Sequence, residues 1–248
     1  MAACYLAGAG LSVAVLERAS VVGGAAVTEE LIPGFRVSTG SYVLSLMPRQ
    51  ILDELDLWSA GVQYLARDPR IFVPFPDGTS LAWWDDPARL HAELAKISKH
   101  DADRFADYEA FIERAATVMD RFILRKRLRH RAHRSLDVRP GDAIADQVLA
   151  ELGRYAPNVP GSVLARQVLA PRDLEARFGL TGGHLFHGEL VPEQAFDLRP
   201  VPGSTSHEGP IRGLYLCGSG AWSGGCVMGA PGHNAAQEVI GRLRAGRG

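Results

Sequence analysis

Cysteine is scarce in this sequence: Cys4, Cys217 and Cys226 are the only three in 248 residues, and none forms a C-x-x-C pair. That excludes a disulfide framework and a cysteine-based zinc site, and it makes a reducing compartment the default. Cys217 and Cys226 read as small packing residues. An excess of either charge is also missing, with 27 Lys plus Arg against 28 Asp plus Glu. A dedicated nucleic-acid binder is excluded on that balance. No apolar run is long enough to cross a membrane: Met1 to Leu16 is nearly all apolar, but Glu17 and Arg18 close it short of the roughly 18 residues a span needs. The run has no basic residue ahead of it, as a signal peptide would. A cytoplasmic location is expected, with a mitochondrial or membrane-peripheral one as alternative. Long polar stretches are lacking too; at 46% hydrophobic residues, disorder is excluded as the main state.

What is present reads as alternating elements. Met1 to Ala7 has the character of a helix end, with Gly8 and Gly10 as stop signals, since a left-handed residue favours glycine there. Ser12 to Leu16 is continuous, β-branched and apolar, the pattern of a strand in a parallel sheet covered on both faces. Short strands are expected around Pro33 to Val37, a helix over Gln50 to Trp58, and a hairpin of Ile71 to Phe75 with Thr79 to Trp84 about Pro76-Asp77-Gly78. From about Pro87 to Leu128, Phe105, Tyr108, Ile112, Ala115, Met119 and Phe122 recur at helical spacing. Ile144 to Tyr155 reads as a further helix. Gly213 to Cys217 has a short buried-strand pattern, and a closing helix follows with Pro231 in its first turn. Ser12 to Glu17 and Gly213 to Cys217 are expected to run parallel in one sheet.

Two constellations carry chemistry. In the first, an acid ends a strand and a glycine pair follows: Glu17, then Gly23 and Gly24. In dinucleotide-binding folds such an acid accepts hydrogen bonds from an adenosine ribose, and paired glycines let backbone approach a pyrophosphate. The second is the glycine-rich passage from Cys217 to Asn234. Small residues admit a flat ligand, and a helix N-terminus near Gly229 to Gly232 offers free N–H groups and partial positive charge. Gly8-Ala9-Gly10 is a decoy, because a G-x-G-x-x-G fingerprint follows a strand and opens a helix, the reverse of the order here. The fingerprint is expected ahead of Met1, outside this chain.

Together these residues resemble the phytoene desaturase-like FAD-dependent oxidoreductases, and within them the branch named for pyridine nucleotide-disulfide oxidoreductase domain-containing protein 2. The resemblance is carried by Ala9 to Arg18, Val22 to Ala26, Gly213 to Gly220 and Gly224 to Ala236, with support from Pro33-Gly34-Phe35, Phe72 to Gly78 and Gly182 to Gly188. It implies an α/β fold, with a partial Rossmann-like FAD-binding domain built from both chain ends, 1–64 and 205–248, and a reduced α+β substrate region, 65–204. It implies FAD as cofactor. Glu17 and Arg18 would stand at the adenosine ribose, Gly23 and Gly24 near the pyrophosphate, Gly218, Ser219 and Gly220 near the phosphates and ribityl chain, and Gly225, Val227 and Met228 beside the isoalloxazine. The activity implied is hydride removal from an apolar small-molecule substrate to flavin N5. No side-chain acid or base follows from the motifs.

Departures from that pattern leave two other readings open: a non-catalytic binding or regulatory protein that keeps the fold, and an inactive fragment. The first strand and fingerprint are missing, and a long segment of the family's substrate domain is absent between Arg134 and Gly141. The run Arg121 to Arg134 holds seven Lys or Arg in fourteen residues; it reads as a solvated helix end or as a patch for a membrane surface or anionic partner. His184, His187 and Glu189 read as a loop lining the flavin or substrate cleft rather than a metal site. Trp83, Trp84 and Tyr42 are expected to form core or cleft walls.

Overall fold

A computed structural model describes residues 1–44, 46–123, 141–187, 199 and 207–246, with only the backbone described for 115 and 118–123. In chain order the elements are α1 (Ala2–Gly8), β1 (Thr28–Ile32), β2 (Phe35–Ser38), α2 (Arg49–Glu54), β3 (Ile71–Pro74), β4 (Ser80–Trp83), α3 (Pro87–Ala95), α4 (Lys99–Ile123), α5 (Gly141–Tyr155), α6 (Val159–Ser162), α7 (Pro171–Phe178) and α8 (Ala230–Ala245). They divide into two units. One holds the described residues of Met1–Gly61, Arg121–Val138 and Leu169–Gly248, the other those of Val62–Asp120 and Arg139–Val168.

In the first unit α1 ends as its glycines predict. Gly10 takes φ 84°, its N–H donates to the Ala7 carbonyl (2.9 Å), and the Leu11 N–H donates to the Leu6 carbonyl (3.1 Å). This paired closure satisfies the last carbonyls of the helix. Packing of α1 on α8 depends on a small residue, for a Cβ at Gly232 would lie 2.9 Å from Met1 Cβ. Ile51, fully buried, forms a core with Met228 and Ala230, and Met1 and Leu55 pack against it. On α8 the apolar face buries Ala235, Ala236 and Ile240, whereas Leu243 at its end is exposed. β1 and β2 form an antiparallel hairpin turned at Gly34, φ 85°.

The second unit follows the same local logic. Antiparallel β3 and β4 pair Ile71 with Trp83 through Pro74 with Ser80. Their turn is held by Asp77 Oδ1, which accepts from the Thr79 N–H (2.9 Å) and hydroxyl (2.6 Å), an Asx-type turn. Asp86 caps α3 by accepting from the Arg89 N–H (2.8 Å), with Pro87 in the first turn. The expected long helix is thus two, α3 and α4, parted at Lys96 to Ser98. Trp83 packs edge-on against Phe105 (5.1 Å), while Arg89 covers the Trp84 ring (3.4 Å to its centroid). Tyr108 and Ile112, farther along the expected apolar face, are exposed. The continuation of that face and most of the basic run Arg121 to Arg134 lie outside the described residues.

One expectation is overturned. Ser12 to Glu17 and Gly213 to Cys217 do not share a sheet. The first segment is neither helix nor strand and has no ladder partner among the described residues, and in the second only Tyr215 makes an isolated antiparallel bridge, to Glu208. Leu16 is 96% exposed and Val15 71%. The physical reason is pairing. Buried parallel strands are stable only with hydrogen-bonding neighbours on the sheet and layers over both faces, and no strand among the described residues lies beside either segment. Without a ladder, apolar content alone leaves the backbone solvated.

Candidate functional site

A cavity of about 470 Å³ lies within the first unit. Its walls come from four stretches: Gly23 and Ala25, Gly40 to Val43 with Leu46, the Phe178 to His187 region, and Cys217 to Gly232, with Met1 closing one side. Leu46, Phe178, Leu180, Leu185, Val227 and Met228 make most of the surface apolar, and no Asp or Glu lines it among the described residues.

The glycine passage gives the cavity its shape. At Gly218 a Cβ would meet nothing within 4 Å, so its bare backbone leaves room for a ligand. The α8 N-terminus contributes Gly229, Pro231 and Gly232 to the wall. Gly229 caps the helix at φ 76°, and the first intrahelical donor is the His233 N–H, to Gly229 (3.1 Å). The N–H groups of Ala230 and Gly232 precede it, so the positive end of a sixteen-residue helix meets the cavity. Ser219 steadies the opposite bank by donating its hydroxyl to the Cys226 carbonyl (2.6 Å).

His184 to His187 is docked against this passage. The Cys226 N–H donates to the Leu185 carbonyl (3.1 Å), and Phe186 covers Gly225, where a Cβ would overlap the ring. His187 and Cys226 both take φ 55°, a left-handed backbone rarely adopted outside glycine. Burial, with the charges of Arg199 and His184 adding to it, lowers the His187 pKa. The imidazole is therefore neutral at neutral pH. Arg199, 5% exposed, donates from Nε to the Gly220 carbonyl (3.1 Å), while its Nη1 and Nη2 are buried with no hydrogen-bond partner among the described residues. Burial lowers its pKa also. A sealed, unpaired guanidinium is among the costlier arrangements a fold can hold.

Behind the α8 N-terminus, a polar cluster joins α1, α2 and α8. Tyr5 donates its hydroxyl to Glu54 (2.7 Å), buried His233 approaches the same carboxylate (3.5 Å), and Gln50 donates to its other oxygen (2.6 Å). Burial and then the Glu54 contact push the Tyr5 phenol upward. At Glu54 burial acts to raise the pKa, but the hydrogen bonds from Gln50 and Tyr5 outweigh it and the carboxyl is lowered.

Of the residues singled out from the sequence, Gly23, Gly218, Ser219, Val227 and Met228 meet in the cavity, as do Tyr42 and His187. Gly220 and Gly225 stand behind its wall, against His187 and Phe186. Glu17, Arg18 and Gly24 do not line it. Glu17 is exposed and accepts from the Ala19 N–H (2.8 Å) in a local turn. Sequence reasoning missed Met1, Gly40, Val43, Leu46, Phe178 and Leu180, whose apolar or small side chains carry no chemical signature. It missed Arg199 as well, because one arginine in a turn-rich stretch is indistinguishable from a surface one until its burial is known. Among the described residues, no group of three His, Cys, Asp or Glu is placed to hold a metal ion, and no helix is long and apolar enough to cross a membrane.

Residues 1–55 match the NAD(P)-binding Rossmann-like domain family. With the mixed helices and short hairpins, that makes the fold α/β with a partial Rossmann-like domain. No solved structure matches the chain. Among curated proteins it is similar to one of the limonene dehydrogenase polypeptides of Castellaniella defragrans, 35% identical over 38% of this chain and 18% of that one. It is similar also to pyridine nucleotide-disulfide oxidoreductase domain-containing protein 2 of Mus musculus, 50% identical over 40% of this chain and 17% of the relative. The rat protein of the same name, from Rattus norvegicus, is 47% identical over 158 residues, 64% of this chain. The aligned region spans 24% of that relative's length, so the chain matches about a quarter of the relative.

Proposed function

We propose that this chain supplies the ring-binding wall of an FAD-dependent oxidoreductase of the phytoene desaturase-like class, acting on an apolar substrate. The observation that carries the reading is the apolar cavity in which glycines from both chain ends face the N-terminus of α8. Open space over Gly218, the apolar side chains of Val227 and Met228, and the free N–H groups of α8 suit a flat ring whose polar edge gains electron density. Glu17 lies outside this cavity, and the 248 residues hold no phosphate-binding fingerprint after a strand. The residues therefore fit the ring end of FAD rather than its phosphates.

When bound, FAD supplies the hydride acceptor. The chain's own residues do the rest. Gly218 and Ser219 permit backbone approach, Val227 and Met228 form the ring-facing wall, and Phe178, Leu180 and Leu185 keep water from the substrate side. The α8 N-terminus stabilises negative charge developing beside it. Neutral His187 can donate or accept one hydrogen bond at the wall without adding charge.

The displaced Glu17 favours a second reading, a binding protein that retains the cavity without turnover. Absorbance after gel filtration of the purified chain, with and without added FAD, decides. A retained flavin band that bleaches with an apolar alkene or alcohol donor is the expected result. A retained band with no turnover on any acceptor favours the binding protein. Colourless protein after saturation with FAD overturns the flavin reading.

A further inference from the structure

Polar side chains on the cavity wall are few, and among the described residues no Asp, Glu, Lys or Arg is one of them. Ser219 commits its hydroxyl to the Cys226 carbonyl (2.6 Å), and Tyr42 is 89% exposed. His187 differs from both. It lines the cavity and is half-buried, and its two ring nitrogens make no hydrogen bond among the described residues. Unlike the Nη groups of Arg199, these nitrogens are not sealed.

The surrounding backbone fixes this residue. At φ 55° its N–H donates to the His184 carbonyl (2.9 Å), and the adjoining turn is tied down where the Cys226 N–H donates to the Leu185 carbonyl (3.1 Å). Gly220, which stands behind the wall, backs the side chain: a Cβ there would lie 3.8 Å from His187 Cβ and 4.0 Å from Cγ. Burial, with the charges of Arg199 and His184 adding to it, keeps the imidazole neutral at neutral pH. A neutral imidazole holds one donor and one acceptor. In a pocket that is otherwise apolar, such a group orients the ligand.

We propose that His187 anchors an uncharged oxygen, a hydroxyl or a carbonyl, borne by the apolar molecule that fills the cavity. A hydroxyl donates to the bare ring nitrogen or accepts from the other, and a carbonyl accepts from the ring N–H. This rests on reading the cavity as a ligand site and narrows its occupant from apolar molecules in general to apolar alcohols and ketones. Two sources share that chemistry: the oxygen of a substrate, and a ring carbonyl of the flavin.

Isothermal titration calorimetry of the full chain, free of flavin, with 1-hexanol and 1-chlorohexane tests it, since the two match in chain length and only the alcohol makes a strong hydrogen bond. The removing variant is His187→Gly, because glycine adopts this left-handed backbone freely. Hexanol affinity is expected to fall about threefold to tenfold in the variant, the effect of one hydrogen bond, while chlorohexane affinity changes less. Added imidazole restores the hexanol affinity. Lumiflavin titrated into the same two proteins separates the sources: a loss for lumiflavin with none for hexanol assigns the oxygen to the flavin ring. Equal changes for hexanol and chlorohexane, with lumiflavin unaffected, overturn the proposal, because His187 then acts by shape alone. Circular dichroism monitors folding. Should His187→Gly not fold, nitrogen NMR of the histidine-labelled, unsubstituted chain decides: an imidazole signal that moves with hexanol or lumiflavin and not with chlorohexane supports the anchor, and the lack of one overturns it. Flavin retention is read separately, so colourless protein whose hexanol affinity falls in His187→Gly sinks the flavin reading and not this one.

Discussion

Single atoms decide much of this site. Gly225 combines φ 146° with a Cβ position that the Phe186 ring already occupies. Gly225→Ala must move the ring or the backbone, and the expected cost is about 1–3 kcal/mol, as for other overpacked positions. Urea unfolding would show it as a lower midpoint at an unchanged slope. Because Phe186 belongs to the segment that carries Leu185 and His187, the same substitution should weaken ligand binding in the cavity. An unchanged midpoint would mean that Phe186 does not sit on Gly225 in solution. Gly218, by contrast, faces open space, so Gly218→Ala should leave stability within about 0.5 kcal/mol and act on ligand affinity alone.

Between elements, the decisive fact is which of them found a partner. Periodicity located α2, the β3 and β4 hairpin, α5 and α8, because each is specified by neighbours within a few residues: an apolar face, a turn aspartate, a proline in the first turn. The same reading placed a parallel strand pair at Ser12 to Glu17 and Gly213 to Cys217, and it failed there. Parallel ladders join residues remote in sequence, and local pattern reports only the capacity to be buried. Amide hydrogen exchange separates the two states. Backbone amides of residues 12–17 are expected to exchange without protection, whereas those of residues 235–240 in α8, whose buried face includes Ala235, Ala236 and Ile240, exchange slowly. Protection of 12–17 comparable to α8 would show that this segment is paired.

Across the first unit, contacts between distant parts of the chain hold the cavity walls together. Arg177 on α7 donates to Glu29 on β1, 148 residues away in sequence, and Glu29 also accepts from the Thr39 hydroxyl. The Thr39 hydrogen bond, followed by that of Arg177, holds the Glu29 carboxyl below its ordinary value of 4.5. A carboxyl depressed in the folded state stabilises it above the unfolded pKa, and that contribution is lost as pH falls through the lower, folded value. Stability should therefore decline with acid below about pH 4.5, and Arg177→Gln should make the decline shallower by removing part of the depression. Urea midpoints measured from about pH 7 to about pH 3 check this. Identical slopes in both proteins would place the acid sensitivity elsewhere.

The sequence by itself determined the class of elements, their turns and caps, and the two glycine-bearing stretches that carry the resemblance to flavin-dependent oxidoreductases, since these are short-range matters of backbone freedom and apolar spacing. Gly23, Gly218, Ser219, Val227 and Met228 were legible as site residues for that reason, although nothing local says that they meet. Only the tertiary structure decided that they share one cavity with Met1 and Phe178, that Glu17 lies outside it, and that Arg199 is sealed behind its wall with no acceptor among the described residues. Burial and partnership depend on what the rest of the chain brings into contact. A charge becomes informative when water and every counter-ion have been taken from it.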